Sequence, residues 1–425
     1  MCDALVVAPA RSASGRTIFA KNSDRKVGEA QPFLQFPEAC HPPGSEVRCT
    51  HVTIPQVAET YRVMGHSPWW VWGFEHGVNE HAVAIGNLTV FSREAVEERP
   101  GLIGMDLVRL GLERGRSARE ALEVIAGLIE LHGQGGSALA PGGAGYHNAF
   151  LLADPDEGWL MQTSGRRWAA RRATCDALSN QLSLGRDWEI GSRDLESFAR
   201  ARGWWEDAGR VDVTAAYRHP EVPLRLSAGR LRRSRELLGR HEKLDVRALQ
   251  AILRDHLEGG AVRLPGGTPE EESFFTLCMH SEPIGTTTAS LVAELPADRS
   301  RPWPVWISFG TPCTGVFLPV YLDGILPAAL ARGGPEPSDD SAFWVFDALR
   351  AAAEPDFPGR TPRIRAGFAE FEANLERERL RVEAEAGAAA AAGETDRARE
   401  LLTEFMERTV AEAMACARKI RDSLA

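Results

Sequence analysis

The sequence has no long apolar run, no basic leader and no excess of positive charge. No stretch approaches the roughly 20 consecutive apolar residues that a membrane-spanning helix needs. The opening residues, MCDALVV, lack the basic region and apolar core of a secretory signal. With 49 Lys and Arg against 59 Asp and Glu, the formal net charge is −10, which argues against a nucleic-acid partner. We therefore expect a cytoplasmic protein that binds neither membrane nor nucleic acid.

Cysteine is scarce and irregularly placed. The seven cysteines stand at positions 2, 40, 49, 175, 278, 313 and 416, a distribution unlike that of a disulfide framework. This pattern indicates reduced thiols. The rest of the composition, 44% hydrophobic and 25% charged residues over 425 positions, is that of a globular protein with one large domain or about two to three ordinary ones.

The chain is organised around its first stretch, MCDALVVAPARSASGRTIFAKNSD. Two β-rich runs, Asp3–Ala8 and Thr17–Asn22, flank the loop Pro9–Gly15, and this arrangement predicts a hairpin. If the loop is symmetric, Cys2 lies opposite Asn22 in the paired strands.

Cys2 directly follows the initiator methionine, so removal of Met1 would leave a residue with both a thiol and a free α-amine. The reference pKa values of these groups are about 8.5 and about 7.7–8.0, so one residue can supply nucleophile and proton acceptor. Lys21 is the cation expected to stabilise the thiolate, and Asp24 is the acid expected to hold or orient the amine. The alternative is that Cys2 is incidental and that Lys21 and Asp24 form a solvated strand end. We predict an N-terminal-nucleophile amide hydrolase.

Two asparagines that follow β-rich runs are candidates for an oxyanion hole. Asn87 closes the strand run of GFEHGVNEHAVAIGN, and Asn180 stands in LSNQLSLG. Either side-chain amide could donate to the oxyanion that forms when a thiolate attacks a carbonyl, a contact worth about 10²–10³ in rate. The alternative is that each asparagine ends a turn, as Asn commonly does.

A zinc site is the competing hypothesis for the chemistry. Cys40, His41, Cys49 and His51 place two thiols and two imidazoles close together in the sequence. Their spacing matches neither paired C-x₂-C motifs nor a zinc finger, so we expect no metal and no cofactor.

Two other groups of residues have open interpretations. The aromatic group Trp69, Trp70, Trp72 and Phe74 either lines a pocket or packs in the core. Four arginines either receive a substrate carboxylate or form a solvated strand face; they are Arg166, Arg167, Arg171 and Arg172.

Helical and strand patterns divide the chain into segments. Helices are predicted at Leu102–Gly115, Ser117–Leu131, within Ser192–Gly259, and at Ser341–Ala353, Pro362–Ala390 and Gly393–Leu424. Strands are predicted as an antiparallel meander from Tyr146 to Leu178 and again at Thr287–Leu295 and Pro304–Phe309. The final helices are expected to cap the core, because Gly387 and the following alanines interrupt any sustained heptad; a coiled-coil-like partner surface is the alternative.

Several of these stretches resemble the secernins, which belong with the C69 family of cysteine dipeptidases and are similar to choloylglycine and penicillin V acylases. The resemblance is clearest over residues 1–185, in MCDALVV, GRTIFAKNSDR, WGFEHGVNEHAVAIGN, LIGMDLVRLGLERGRSAREALEVI, GQGG and YHNAFLLADPDEGWLMQTSGRRWAARRA with LSNQLSL. It implies an α+β fold, the four-layer αββα sandwich of N-terminal-nucleophile hydrolases. Residues 1–335 would form this domain, with a helical insertion at about 192–260, and residues 336–425 would be a helical extension packed on the core.

The resemblance also implies the roles of the site residues. Cys2 would be the nucleophile after removal of Met1, and Asp24 matches the acid of an F-x-[RK]-N-x-D motif. Lys21 stands where the acylase relatives carry arginine, which exchanges a bidentate fork for a point charge. Asn87 and Asn180 match two further motif positions, whereas no position matches the C-terminal arginine that the acylases use.

These inferences together predict a cysteine hydrolase of a small peptide or amide, with a dipeptide as the expected substrate and no cofactor. Leu88 stands where many secernin-like sequences have Glu, so the substrate preference is open. Two alternatives are an acylase of N-acyl or β-lactam amides on the same fold and a non-catalytic, secernin-like regulatory or binding protein. Formation of a homo-oligomer is also left open.

Overall fold

Two antiparallel β-sheets form the centre of the computed structural model, which describes residues 1–257 and 268–424. The first sheet has the strand order β14 (Cys175–Leu178), β1 (Cys2–Val7), β2 (Thr17–Arg25), β17 (Gly285–Leu295), β18 (Val305–Phe309) and β19 (Leu318–Val320), with β16 (His280–Ser281) paired to β17. The second sheet has the order β15 (Ile190–Gly191), β13 (Arg167–Arg172), β12 (Gly158–Ser164), β11 (His147–Ala153), β10 (Ala84–Val90), β9 (His76–Asn79), β8 (Val63–His66) and β3 (Phe33–Phe36). Two short pairs stand apart from both sheets: β4 (Ala39–Cys40) with β7 (Glu59–Thr60), and β5 (Glu46–Arg48) with β6 (Thr53–Pro55).

Helices cover the outer face of each sheet. The second sheet carries α1 (Gly104–Arg114) and α2 (Ala118–His132), and the first carries α5 (Ala228–Gly239) and α6 (Val246–Leu253). The shorter helices are α3 (Leu195–Ala201), α4 (Val213–Tyr217) and α7 (Ala328–Ala331). The predicted four-layer αββα sandwich of the α+β class is therefore confirmed. Two of its outer helices, α5 and α6, lie inside the segment predicted as a helical insertion, whose last residues, 258–260, fall outside the described residues.

The alternation of side chains along β1 shows why this strand is buried on both faces. Cys2, Ala4 and Val6 belong to the apolar cluster between the two sheets, whereas Leu5 and Val7 pack into the cluster beneath α5 and α6. Because neighbouring residues of a strand point to opposite faces, a strand in an inner layer is apolar throughout. The exception along β1 is Asp3, a buried carboxylate on the helix-facing side.

The register of the first hairpin differs from the predicted one by a single residue. Cys2 lies opposite Ser23, and Asp3 lies opposite Asn22, so the prediction that Cys2 opposes Asn22 is wrong. The last pair of the hairpin is Val7 with Ile18, so the connection covers residues 8–17 and is centred half a residue later than the predicted loop Pro9–Gly15. A shift of one residue changes which side chains share a face.

The C-terminal part of the chain is a helical layer beside the end of the first sheet. It contains α8 (Ala342–Ala353), α9 (Phe357–Ala391) and α10 (Thr395–Ser423), and α9 and α10 pack along each other. Leu402 and Met406 of α10 join the same apolar cluster as Leu318 of β19. The proposed division of the chain at residue 335 stays a prediction. None of the described helices has the length and apolar character to cross a lipid bilayer.

A pair of glycine substitutions tests the packing of α1 against the segment between β8 and β9. A β-carbon at Gly73 would collide with the backbone of Met105 near the start of α1, whereas one at Gly127, on the exposed side of α2, meets nothing. We expect Gly73→Ala to destabilise the fold by about 1–3 kcal/mol, and Gly127→Ala to stabilise it by about 0.5–1 kcal/mol. Thermal unfolding midpoints of the two variants measure the difference. Equal midpoints would contradict the described contact between Gly73 and α1.

Candidate active site

Cys2 begins β1 at the edge where the two sheets and α5 meet. Its side chain faces the second sheet and is only 4% exposed. Its backbone nitrogen donates a hydrogen bond to Oδ1 of Asn180 at 2.7 Å. Met1 extends the ladder by one residue: its amino group donates to the carbonyl oxygen of Asp24 at 2.8 Å, and the Asp24 N–H donates to the Met1 carbonyl oxygen at 2.8 Å. Removal of Met1 would place the new α-amine of Cys2 against Asn180.

Lys21 is fully buried between the sheets, on the same face as Cys2. Its aliphatic chain packs against Gly86, where any β-carbon would collide with Cδ of the lysine. The ammonium lies 3.4 Å from Oε2 of Glu75 and 3.5 Å from Nδ1 of His76. Gly86 therefore provides the space that a buried lysine needs, next to the Asn87 that the sequence singles out.

The environment of the Cys2 thiol acts on its pKa in both directions. Burial raises the pKa of Cys2 most strongly, while Lys21 and the terminal ammonium lower it and the carboxylates of Glu75 and Asp24 raise it. The thiol is thus held in its neutral form unless a positive charge is added close to it.

The charges between the sheets are already balanced without a thiolate. Besides its contact with Lys21, Glu75 accepts a hydrogen bond from Arg25 at 3.2 Å, and Arg25 also pairs with Glu29 at 2.6 Å. These two cations and two carboxylates cancel formally. Ionisation of Cys2 therefore requires an extra positive charge, which a protonated α-amine on the same residue would supply.

Asp24 lies at the other face of the first sheet, towards α5. Its Oδ1 accepts a hydrogen bond from the Thr287 hydroxyl at 2.7 Å, and its Oδ2 is 3.8 Å from the guanidinium of Arg230. Burial raises the pKa of Asp24 to about 6, against the opposing effects of the terminal ammonium and Arg230. This carboxylate therefore titrates close to neutrality.

Arg230 of α5 is a site residue that sequence reasoning missed. It is fully buried and donates to Oδ2 of Asp3, to Oδ1 of Asn180 at 2.7 Å and to the carbonyl oxygen of Cys2 at 3.2 Å. The sequence analysis predicts only a helix for the run RLRRSR in which it stands. The helical period carried a signal, because Arg230 stands four residues before the buried Ser234, on the face that α5 buries.

Asn180 presents its oxygen, not its amide nitrogen, to Cys2. Oδ1 accepts from both the Cys2 nitrogen and Arg230, while Nδ2 donates to the carbonyl oxygen of Thr89 at 2.9 Å. The structure therefore brings Asn180 to Cys2, with its amide nitrogen turned away.

Asn87 lies on the opposite face of β10 from Gly86 and Leu88, towards the start of α1. The orientation of its amide is assigned from the neighbouring hydrogen-bond partners, which place the nitrogen towards Glu75. In this orientation the nitrogen donates to Oε2 of Glu75 at 3.1 Å and to the Glu75 carbonyl oxygen at 3.0 Å. The side chain also contacts Asn148 and fills the space above Gly104. Among the hydrogen bonds of the described residues, none joins Asn87 to Cys2.

The other residues singled out in the sequence have ordinary structural roles. The four arginines of β13 and its preceding turn all form ion pairs with Asp or Glu, as a solvated strand face does. Trp70 donates to Glu29 at 2.9 Å, and Phe74 is buried beneath α1, whereas Trp69 is 40% exposed.

The Cys and His pairs considered for zinc are not gathered into one group. His41 contacts Thr60, and His51 contacts the carbonyl oxygen of Ser137. In the described part of the chain, the metal-ligating side chains that do converge are four others, His256, Cys278, His280 and Cys313.

Arg230 should be the most sensitive ion-pair position of α5. Arg230→Met leaves the buried carboxylates of Asp3 and Asp24 without their cation, and we expect a loss of about 3–5 kcal/mol in folding free energy. Arg230→Lys keeps the positive charge but loses the bidentate contacts of the guanidinium, and it should lose less folding free energy. The matched control is Arg232→Met on the same helix, whose partner Glu272 and own side chain are largely exposed. The thermal unfolding midpoint should be highest for Arg232→Met, lower for Arg230→Lys and lowest for Arg230→Met. Equal midpoints in the two methionine variants would contradict this prediction.

Solved structures that are similar to this one include three proteins. The structure is similar to a mutant of the conjugated bile acid hydrolase from Clostridium perfringens, with TM-score 0.43 and 12% identity over 73% of this chain and 89% of that one. It is also similar to penicillin V acylase from Agrobacterium tumefaciens, with TM-score 0.41 and 14% identity over 72% and 83% of the two chains. An N-acylethanolamine-hydrolyzing acid amidase orthologue from Caenorhabditis elegans matches with TM-score 0.32 and 9% identity over 69% and 92%.

The family assignment comes from the sequence itself. The model of Peptidase family C69 matches residues 1–219, which is more than half of the chain. The matched region contains the hairpin, β10 with Asn87, the meander and Asn180. The chain therefore belongs to Peptidase family C69 and is a cysteine-nucleophile hydrolase of amide bonds.

Proposed function

We propose that the chain is a dipeptidase whose nucleophile is Cys2, which becomes the N-terminal residue when Met1 is removed. One observation carries the proposal: the Cys2 nitrogen lies 2.7 Å from Asn180 Oδ1, while the thiol of the same residue faces Lys21 between the sheets. The amine of Cys2 then lies beside the oxygen of Asn180, which can accept from an ammonium, and its thiol lies near the positive charge of Lys21. This is the pairing of nucleophile and base that amide hydrolysis requires.

Acylation begins with proton transfer from the Cys2 thiol to its own α-amine. We expect the ammonium formed to be stabilised by Asp24 and by the oxygen of Asn180, and the thiolate by Lys21 and by the ammonium itself. The thiolate attacks the scissile carbonyl, and the tetrahedral intermediate collapses as the ammonium gives its proton to the leaving nitrogen. A thioester with Cys2 remains, and the amine product leaves.

Deacylation uses the same amine as base towards water. The neutral α-amine takes a proton from the attacking water, the hydroxide adds to the thioester carbonyl, and the proton returns to the departing sulfur. Arg230 supports both halves, because it fixes the Cys2 carbonyl oxygen and Asn180 together and so sets the direction of the amine.

The oxyanion donors stay a prediction. Both asparagines named from the sequence have their amide nitrogens bound to other acceptors, Asn87 to Glu75 and Asn180 to Thr89. An oxyanion role would require one of them to exchange its acceptor when substrate binds. In the present arrangement Asn180 is better suited to orienting the amine than to donating to the oxyanion.

The surroundings of Met1 indicate where the substrate lies. Met1 packs against the apolar cluster of Phe274, Phe275 and Met279, and its backbone pairs with the N–H and C=O of Asp24. Its removal would free an apolar subsite and one strand position beside the new amine. We expect dipeptides with an apolar side chain to be preferred over charged ones. The cytoplasmic location and any homo-oligomer stay predictions from the sequence.

Substitution of Cys2 tests the nucleophile directly. Cys2→Ala should abolish dipeptide hydrolysis, and Cys2→Ser should reduce kcat by at least about 10³-fold, because a hydroxyl is a far weaker acid than a thiol. Cys416→Ala, which removes a distant thiol of α10, is the matched control and should retain full activity. Turnover of a dipeptide panel is measured beside N-acyl amino acids, with intact mass to establish loss of Met1. Activity that survives in Cys2→Ala, or hydrolysis of N-acyl amino acids alone, would refute the dipeptidase.

The pH dependence tests the part played by Asp24. Its ionised form stabilises the ammonium that proton transfer creates, so kcat/KM should fall as the pH drops through about 6, the pKa to which burial raises this carboxyl. Asp24→Asn should be less active above that pH and should lack this acidic limb, because it has no carboxyl to titrate. The control is Asp3→Asn, which removes the carboxylate on the other side of Arg230; it should keep the limb but move it to lower pH, because Asp3 helps to raise the pKa of Asp24. A limb that persists unchanged in Asp24→Asn would assign it to another group.

A further inference from the structure

We propose that His256, Cys278, His280 and Cys313 form a structural zinc site, distinct from the active site. The ligand atoms of these four residues all lie within 4.8 Å of one another. His280 Nε2 is 3.3 Å from the sulfur of Cys313 and 3.6 Å from that of Cys278. In a tetrahedral zinc site with Zn–S near 2.3 Å and Zn–N near 2.0–2.1 Å, the ligand atoms are separated by about 3.3–3.8 Å. Two of the separations therefore already have tetrahedral dimensions, and the remaining ligand atoms lie within 4.8 Å, so small side-chain movements would complete the cage.

The types of ligand identify the metal. Two thiols and two imidazoles in tetrahedral arrangement are the donor set of structural zinc, and hard cations such as Mg²⁺ and Ca²⁺ require oxygen ligands instead. Four protein ligands fill a tetrahedron, so such an ion would have no open position for substrate. The site would thus act on the fold and not on the chemical step.

The position of the cluster determines which segments of the chain a bound ion would connect. His256 follows α6, Cys278 and His280 lie at β16, and Cys313 lies in the loop after β18. These segments are distant in the sequence, so a shared ion would close long loops of the chain. Phe357, at the start of α9, stacks edge-on against both histidine rings, at 5.6 Å from His256 and 4.9 Å from His280. An aromatic ring in this position limits the access of water to the two histidine ligands.

Hydrogen bonds around the cluster hold the ligating segments in place. The Cys278 N–H donates to the carbonyl oxygen of Asp255 at 3.0 Å, and Arg254 donates to that of Pro312 at 2.8 Å. Asn22 of β2 donates to the carbonyl oxygens of Leu253 and Leu277, at 2.9 and 2.8 Å. The backbone beside each ligating segment is therefore fixed to its neighbours, as preorganised metal sites require.

A short path connects the cluster to the active site. Met279, between two of the ligands, donates its N–H to the Thr287 hydroxyl at 2.9 Å, and Thr287 donates to Asp24 at 2.7 Å. A bound ion would fix Met279 and therefore the hydroxyl that orients the Asp24 carboxylate. Zinc binding should consequently stabilise the chain and order the residues around Cys2.

The experiment measures metal in the full-length chain, purified under reducing conditions from zinc-supplemented cells. We expect one zinc per chain by elemental mass spectrometry, lost in Cys278→Ser and in Cys313→Ser. Cys175→Ser and Cys416→Ser are the matched controls and should keep the zinc. Metal-stripped wild type should have a lower unfolding midpoint, restored by adding zinc. A chain purified without zinc, or equal loss in a control variant, would overturn the proposal.

Cobalt provides a readout that does not depend on the folding of a variant. Co²⁺ added to the metal-stripped wild-type chain should bind with one-to-one stoichiometry and give the ligand-field bands of a tetrahedral ion with thiolate charge transfer. In either serine variant that folds, these bands should be absent, because the variant no longer holds the ion. Absence of these bands from the wild-type chain, or a Cys278–Cys313 disulfide in place of two thiols, would equally overturn the site.

Discussion

The buried guanidinium of Arg230 is the interaction on which the geometry of the active site depends. It lies between two carboxylates of the first hairpin, Asp3 and Asp24, and also holds Asn180 and the carbonyl oxygen of Cys2. Each of these groups would be costly to bury alone. Their shared cation fixes the start of β1 to α5 and to Asn180, two residues after β14, and so sets the direction of the Cys2 amine.

The alternation of a β-strand divides the charges of the site between two faces. The thiol of Cys2 and the ammonium of Lys21 lie between the sheets, whereas Asp3, Asp24 and Arg230 lie towards the helices. In the proposed mechanism, proton transfer from thiol to amine creates the ammonium near Asp24 and the thiolate near Lys21. Because Glu75 already balances Lys21, the thiolate depends also on the ammonium of the same residue. An ion at the proposed zinc site would support the same end of the first sheet, through the hydrogen bonds that join Met279, Thr287 and Asp24.

Local sequence signals predicted much of this site, and long-range packing determined the rest. The hairpin and the placement of Lys21 and Asn180 near Cys2 followed from strand patterns and from resemblance. The predicted register was wrong by one residue because the connection extends to residue 17, and the boundary of a loop is not fixed by composition alone. Arg230 was missed because the helical period indicates that it is buried but not which carboxylates it contacts. The convergence of Cys278 and Cys313 likewise depends on pairing between segments distant in the chain.

The most direct test of the central claim is to trap the acyl-enzyme and locate it by peptide mapping. A slowly hydrolysed activated amide is added to the wild-type chain, and the modified peptide is sequenced by mass spectrometry. The account predicts a hydroxylamine-sensitive thioester on a peptide that begins with Cys2 and lacks Met1. An acyl group on any other residue, or an active, acylated chain that still carries Met1, would contradict it.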